Sequence, residues 1–262
     1  MKSGQQKIKG LILDMDGVLW RDTEPIGDLP TLFQKISDLG WKTAFVTNNA
    51  TRSVSQYVEK FASFRVATEE DQIINSGLAT ALYLKKRFPL GGQVYVIGEE
   101  GFLHTLSDHG YEHSVDDPLA VVVSLDRNLT YNKLSLATGF IRSGLPFIGT
   151  NPDPALPTPS GYIPGTGSIL AAIEAATGCE PVIIGKPSPS MYQIAIENLG
   201  FQPKKVLAVG DQMGTDIAAG IAAGCLTGLV LTGVSDESAI DDFPFKPTYV
   251  AQSLTDLIKE LS

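Results

Sequence analysis

The 262-residue chain has only two cysteines, Cys179 and Cys225. They are far apart and form no CxxC pair, so neither a disulfide framework nor a zinc site is expected. Two small buried thiols in a reducing compartment are the simpler reading. Histidine is almost as scarce. His104, His109 and His113 lie in a stretch interrupted by Gly110, which makes them surface residues of a helix and the loop after it, with no metal role. No apolar run approaches the roughly 18 residues of a membrane span, and the opening MKSGQQKIKG lacks the apolar stretch of a secretory leader. Basic residues number 20 against 29 acidic ones, for a formal net charge of −9. That balance argues against the basic stripe of a nucleic-acid binder and the basic cluster of a membrane-surface protein. A cytoplasmic protein with no nucleic-acid or membrane partner is expected. Internal repeats and low-complexity tracts are also missing.

What is present is a core. Hydrophobic residues make up 43% of the chain and charged residues 19%, enough for one large α/β domain or two ordinary ones. Strand and helix signals alternate, which favours βαβ units and a parallel sheet. GLIL at 10–13 reads as a strand buried on both faces, and 28–39 as a helix with Leu32, Phe33 and Ile36 on one side and Gly40 as its stop. KTAFVT is a second strand. Helices follow over SVSQYVEKFASF and over SGLATALYLKKRF, the latter with Ser76 as N-cap. From about residue 90 the pattern restarts with the strands QVYVIG, LAVVVSL and PFIG. The proline- and glycine-rich stretch 151–167 is a long ordered loop. A third block runs from PVIIG through VLAVG and LTGLVLTG to a final helix. Two domains are therefore expected: a discontinuous core of 1–79 and 181–262, Rossmann-like with a parallel sheet, and a smaller α/β domain, 80–180, inserted into it.

Four of these strands end in polar residues: Asp14 and Asp16; Thr47, Asn48 and Asn49; Lys186; and Asp211 with Asp216. In an open parallel sheet all strand carboxyl ends face one crevice, so residues nearly 200 positions apart can converge there. Each has an ordinary alternative. Asp14 and Asp16 suit a turn or cap, Lys186 an exposed loop, Thr47 a helix N-cap, and Asp216 a first helical turn. Asn49 is as readily structural. Asn151 and Asp153 read as Asx-turn formers, and Asn75 and Ser76 as caps. Taken together, however, the set has a chemical logic. Clustered carboxylates need a cation, and oxygen ligands alone suit Mg2+. Lysine binds phosphate as a point charge, Thr47 can donate to a phosphoryl oxygen, and amides after Asp14, helped by Gly17, can form an anion-binding turn. One carboxylate can then attack phosphorus and form an acyl phosphate, while a second serves as acid and then base.

LILDMDGVLW, FVTNN, IIGKPSP and AVGDQMGTDI resemble the four ordered motifs of the haloacid dehalogenase superfamily. The cap-to-core return, GTNPDPALPTPSGYIPGTGSILAAIEAATG, and the tail, VLTGVSDESAID, resemble its NagD-like, 4-nitrophenyl phosphatase branch, which carries an α/β cap between the second and third motifs. The resemblance implies Asp14 as nucleophile, Asp16 as acid/base, and Thr47, Asn48 and Lys186 on the phosphoryl group. Magnesium would take the Asp14 carboxylate, the Asp16 backbone carbonyl and the Asp211 carboxylate. Asp216 would orient metal-bound water or Lys186 from behind. Gln212 departs from the Arg or Asn common at its position. The resemblance also implies homo-oligomer formation through the cap. The expected function is a Mg2+-dependent phosphatase for a small phosphorylated metabolite. Phosphotransfer to an alcohol, or a non-catalytic phospho-acceptor role in signalling, are the alternatives.

Overall fold

The computed structural model describes residues 8–158 and 161–262. Residues 1–7, which carry most of the expectation about a leader, and residues 159–160 of the long loop lie outside it. The chain divides into two compact units: Met1–Thr47, Ser55–Ile74 and Lys186–Ser262 form one, and Asn48–Val54 and Asn75–Gly185 the other.

The first unit is built on a six-stranded sheet. Its strands run, side by side, Tyr249–Ala251, Leu226–Val230, Val206–Gly210, Gly10–Leu13, Lys42–Thr47 and Ile73–Asn75. Pairing is parallel from Tyr249–Ala251 across to Lys42–Thr47. Gly10–Leu13 and Val206–Gly210 are wholly buried, which explains why both read as unbroken apolar runs, as strands covered on both faces do. From the first strand the chain builds outward to one side, then returns and builds outward to the other. The reversal falls between Gly10–Leu13 and Val206–Gly210, the place where doubly wound sheets bind ligands. The expected Rossmann-like α/β architecture is therefore present.

Local chemistry sets the helix ends. Asp28 caps Leu29–Asp38, its carboxylate accepting from the Thr31 amide (3.2 Å) and hydroxyl (2.7 Å), and Gly40 turns the chain away at φ +71°. Ser253 caps Leu254–Leu261 in the same manner. An aromatic cluster fills one side of the sheet. Phe45 and Phe61 lie 4.3 Å apart, Trp20 and Phe61 5.0 Å, and Phe33 and Phe45 5.7 Å, centroid to centroid.

The second unit has a five-stranded parallel sheet in the order Val182–Ile183, Phe147–Gly149, Val121–Val123, Gly92–Ile97 and Tyr111–His113. Tyr95, Ile97, Val121, Val123, Ile141, Phe147 and Ile173 are among its core residues. Several expectations need correction. Ile73–Asn75 and Tyr111–His113 are strands of three residues, too short to carry a period. His113 is therefore on a strand, where its Nδ1 accepts from the Val96 amide at 3.0 Å. The long loop contains an antiparallel hairpin, Ala155–Thr158 with Gly161–Pro164; prolines are tolerated in such an isolated pair because half of its backbone groups face no partner strand. Asn75, not Ser76, caps Ser76–Arg87, accepting from the Leu78 amide at 2.7 Å. Cys179 is exposed, and burial pushes the thiol of the half-buried Cys225 up to about 12.

Candidate active site

The register of the central strands sets up the site. Leu13 pairs with Val209, and the Asp14 amide donates to the Val209 carbonyl at 2.9 Å. Asp14 and Asp211 thus leave neighbouring strands at the same end. Lys186, 172 residues from Asp14, brings its ammonium to 2.6 Å from Asp14 Oδ1 and 2.6 Å from Asp216 Oδ1. All four side chains are buried.

Asp216 gets there by a wide turn. The Ile217 amide reaches back five residues to the Gln212 carbonyl (3.3 Å), so Met213–Ile217 forms a π turn before Ala218–Ala222 continues as α-helix. Such turns re-aim a side chain without ending the helix. The Gln212 amide then holds Asp216 Oδ2 at 3.1 Å. Gly210 ends its strand without a side chain because a Cβ there would overlap the Asp216 carboxylate.

Asp211 is enclosed differently. Its Oδ2 accepts from the Val234 amide at 2.7 Å, and its backbone carbonyl from the Ser235 amide at 3.0 Å. Gly17, at φ +85°, and Gly233 both pack against its carboxylate; a Cβ on Gly17 would sit 2.6 Å from Oδ2, and one on Gly233 closer still. The Gly233–Ser235 loop was not expected at the site. Its signal was there: it follows Leu226–Val230, the neighbour of the Asp211 strand, and so must open at the same sheet end.

Among the described residues the cluster sets three buried carboxylates, two of them bonded to Lys186, against that one buried ammonium, and the charges do not balance. Burial alone would push the Lys186 amine down, but Asp14 and Asp216 more than offset this and hold it well above its ordinary value. Burial pushes Asp14 well up, with Lys186 opposing and Asp216 and Asp211 adding. Asp211 is pushed up to about 7, by burial first and Asp216 second. A further cation would relieve this excess. Asp14, Asp211 and Asp216 each offer an oxygen within 4.8 Å of the others. That hard, all-oxygen donor set fits Mg2+.

The other expected residues are placed as follows. Asp16 follows on the same loop, exposed, its Oδ1 accepting from Trp20 Nε1 at 2.9 Å. Its carboxylate is not in the acidic cluster; the expectation gave it a metal contact through its carbonyl only. Thr47 ends its strand, buried, in the first unit. Asn48 groups with the second unit, where its Nδ2 donates to Asp153 Oδ2 at 3.0 Å and its carbonyl accepts from Ser76 Oγ (2.6 Å) and Asn151 Nδ2 (2.9 Å). Asn151 and Asp153 do form an Asx turn, the Asp153 amide donating to Asn151 Oδ1, and Asn49 accepts from the Thr51 amide and hydroxyl. Of the amides after Asp14, from which an anion-binding turn is expected, those of Gly17 to Trp20 are engaged within the loop. The amides of Val18, Leu19 and Trp20 turn inward to the Met15 carbonyl, and that of Gly17 to the Trp20 carbonyl. These four amides close the loop on itself.

Two family models match the chain: "Haloacid dehalogenase-like hydrolase" over residues 11–112 and a HAD-hydrolase-like model over 183–257. The 5'-nucleotidase YutF of Bacillus subtilis is 38% identical over 95% of this chain and 97% of its own length. The p-nitrophenyl phosphatase of Archaeoglobus fulgidus superposes with a TM-score of 0.91 at 37% identity, over 97% of this chain and 99% of that one. NagD of E. coli K-12 superposes with a TM-score of 0.88 at 32% identity, over 95% and 98%. Full-length identity with these proteins, joined to strand-end carboxylates and a lysine at the sheet's reversal point, makes the chain a member of the haloacid dehalogenase-like hydrolases.

Proposed function

We propose that this hydrolase is a phosphomonoesterase that cleaves a small phosphorylated metabolite through an aspartyl phosphate on Asp14. One observation carries the reading: Lys186 lies 2.6 Å from both Asp14 and Asp216, within a cluster that also holds Asp211. A lysine gripped from behind by Asp216 cannot swing away. It holds Asp14 in one orientation and presents fixed positive charge where a phosphoryl oxygen would gather negative charge.

Asp14 attacks phosphorus as the bond to the leaving oxygen breaks. Asp16 gives that oxygen a proton, then takes one from the water that hydrolyses the acyl phosphate. Thr47 and Asn48 hold the phosphoryl group beside Lys186. The Asp14 and Asp211 carboxylates and the Asp16 carbonyl would hold Mg2+, which would supply charge neutralisation for phosphoryl transfer. Asp216 acts on Lys186 from behind. Residues 80–180 are read as a cap domain inserted in the chain between 1–79 and 181–262, the part that selects the substrate's leaving group and joins copies into a homo-oligomer. The protein works in the cytoplasm on free metabolites, with no nucleic-acid partner.

Phosphate release from a panel of sugar phosphates, nucleoside monophosphates and 4-nitrophenyl phosphate tests this, with Mg2+ and with excess chelator. Turnover is expected only with the metal. A single phosphorylation event without turnover would instead favour a signalling acceptor, and full activity in metal-free protein would remove the magnesium assignment.

A further inference from the structure

The mechanism above uses Asp16 but does not say what aims it. Asp16 is exposed on a loop, and an exposed carboxylate on two rotatable bonds is a poor proton donor unless something fixes it. The partner is Trp20, whose indole N–H donates to Asp16 Oδ1 at 2.9 Å. Indole is a donor only, so this bond has one polarity.

Trp20 is also immobile. It is fully buried, edge-on to Phe61 at 5.0 Å and stacked on Phe64 at 5.5 Å, with the Lys60 ammonium 4.2 Å from its ring centroid. The backbone adds to this. The Gly17 amide donates to the Trp20 carbonyl at 2.8 Å, and the Trp20 amide to the Met15 carbonyl at 3.3 Å. The loop that carries Asp16 is thus pinned at both ends to the residue that grips its carboxylate. A buried ring has no packing need for an N–H aimed at an exposed acid. Phenylalanine, already used at the two rings in contact with it, Phe61 and Phe64, would serve apolar packing alone.

We propose that Trp20 is a positioning residue for the acid/base. Its N–H occupies Asp16 Oδ1, so the proton for the leaving oxygen travels on Oδ2, and the carboxylate keeps a single orientation toward it. This rests on the reading of Asp16 as acid/base, and the test separates the two.

The readout is how kcat/KM depends on the leaving group across substituted phenyl phosphates of near-equal shape. For this ratio only steps through release of the phenol count. 4-Nitrophenolate leaves without a proton, whereas unsubstituted phenolate needs one. With Trp20→Phe, kcat/KM for phenyl phosphate is expected to fall by about 10- to 100-fold, part of the factor that general acids contribute. For 4-nitrophenyl phosphate it should stay within about threefold, since no proton transfer is at stake there. Phe64→Leu, which loosens the same packing but keeps the N–H, should lower the melting temperature and leave the dependence unchanged. If Trp20→Phe does not fold, benzothienylalanine at position 20 removes the N–H at constant ring shape and is read in the same way. Asp16→Asn must steepen the dependence as well; if it does not, the reading of Asp16 fails. If Asp16→Asn steepens it while the Trp20 variant follows wild type, or loses activity equally on all substrates, the positioning role is overturned.

Discussion

Both units are parallel α/β sheets, and each has a buried aspartate just past a strand end, yet the two aspartates are in opposite circumstances. In the second unit, Asp126 follows Val121–Val123. Its Oδ2 takes the Lys133 ammonium at 2.6 Å and its Oδ1 the Asn128 amide at 2.9 Å, partners seven and two residues away. One acid meets one base, and the account closes locally. In the first unit Asp14 and Asp216 share Lys186, which comes from a distant segment, and Asp211 adds a third carboxylate to the cluster. Parallel topology supplies a crevice in either sheet. Charge stoichiometry at the strand ends is what separates a structural acid from a reactive one.

The largest test of that contrast is activity. Asp14→Asn should lower kcat by about three orders of magnitude or more, because it removes the proposed nucleophile. Asp126→Asn should leave kcat within about an order of magnitude and act mainly on stability, as loss of a structural pair does. Comparable losses from the two would erase the distinction. The next largest effect is on stability. Lys186→Met leaves Asp14 and Asp216 buried without their cation and should cost about 3–5 kcal/mol in urea unfolding. Asp126→Asn should cost less, about 1–2 kcal/mol, since Lys133 is partly exposed and can turn to water.

A smaller effect concerns pH. Asp211 sits at about 7 in the folded protein against an ordinary 3.8, so the folded state binds its proton more tightly than the unfolded state. The resulting stabilisation is complete below about pH 4 and is lost as the pH rises through about 7. In chelator, the melting temperature should therefore fall between about pH 4 and 7 by this contribution, and Mg2+ should flatten the fall by taking the proton's place. An identical slope with and without the metal would mean that the cation does not sit at Asp211. The smallest expected change is Gly233→Ala. Its Cβ displaces the Asp211 carboxylate and should raise the Mg2+ concentration needed for half-maximal activity several-fold. Wild-type metal dependence would show that the loop yields.

The sequence made the central strands and their acidic ends legible for one reason. GLIL and VLAVG are buried on both faces, so their apolar runs are unambiguous, and the strand-end rule then assigns Asp14 and Asp211 to one crevice. Asp216 followed from the same rule; Lys186 did not, because the strand before it, Val182–Ile183, expected in the core, pairs with Phe147–Gly149 in the second unit's sheet. Other features lie outside any local signal. Gly210, Gly17 and Gly233 matter because of a carboxylate brought near by tertiary packing, and a lone glycine does not announce its neighbour. The Trp20–Asp16 bond depends on how the loop closes, which Met15 and Trp20 decide through their carbonyls. Asn75 and Ser76 are both good caps, and propensity cannot choose between adjacent ones. The three-residue strands at the sheet edges fall below the length at which alternation can be read.

The strand order also bears on synthesis at the ribosome. Gly10–Leu13 emerges first, and one flank is covered early by Lys42–Thr47, but its other flank waits for Val206–Gly210. At a translation speed of roughly 5–20 residues per second that interval lasts about 10–40 seconds. Throughout it, an apolar strand with unpaired amides and carbonyls is open to mispairing. A nascent chain of this design gains from shielding of that strand until its last third arrives, and its half-made form holds Asp14 without Lys186, Asp211 and Asp216.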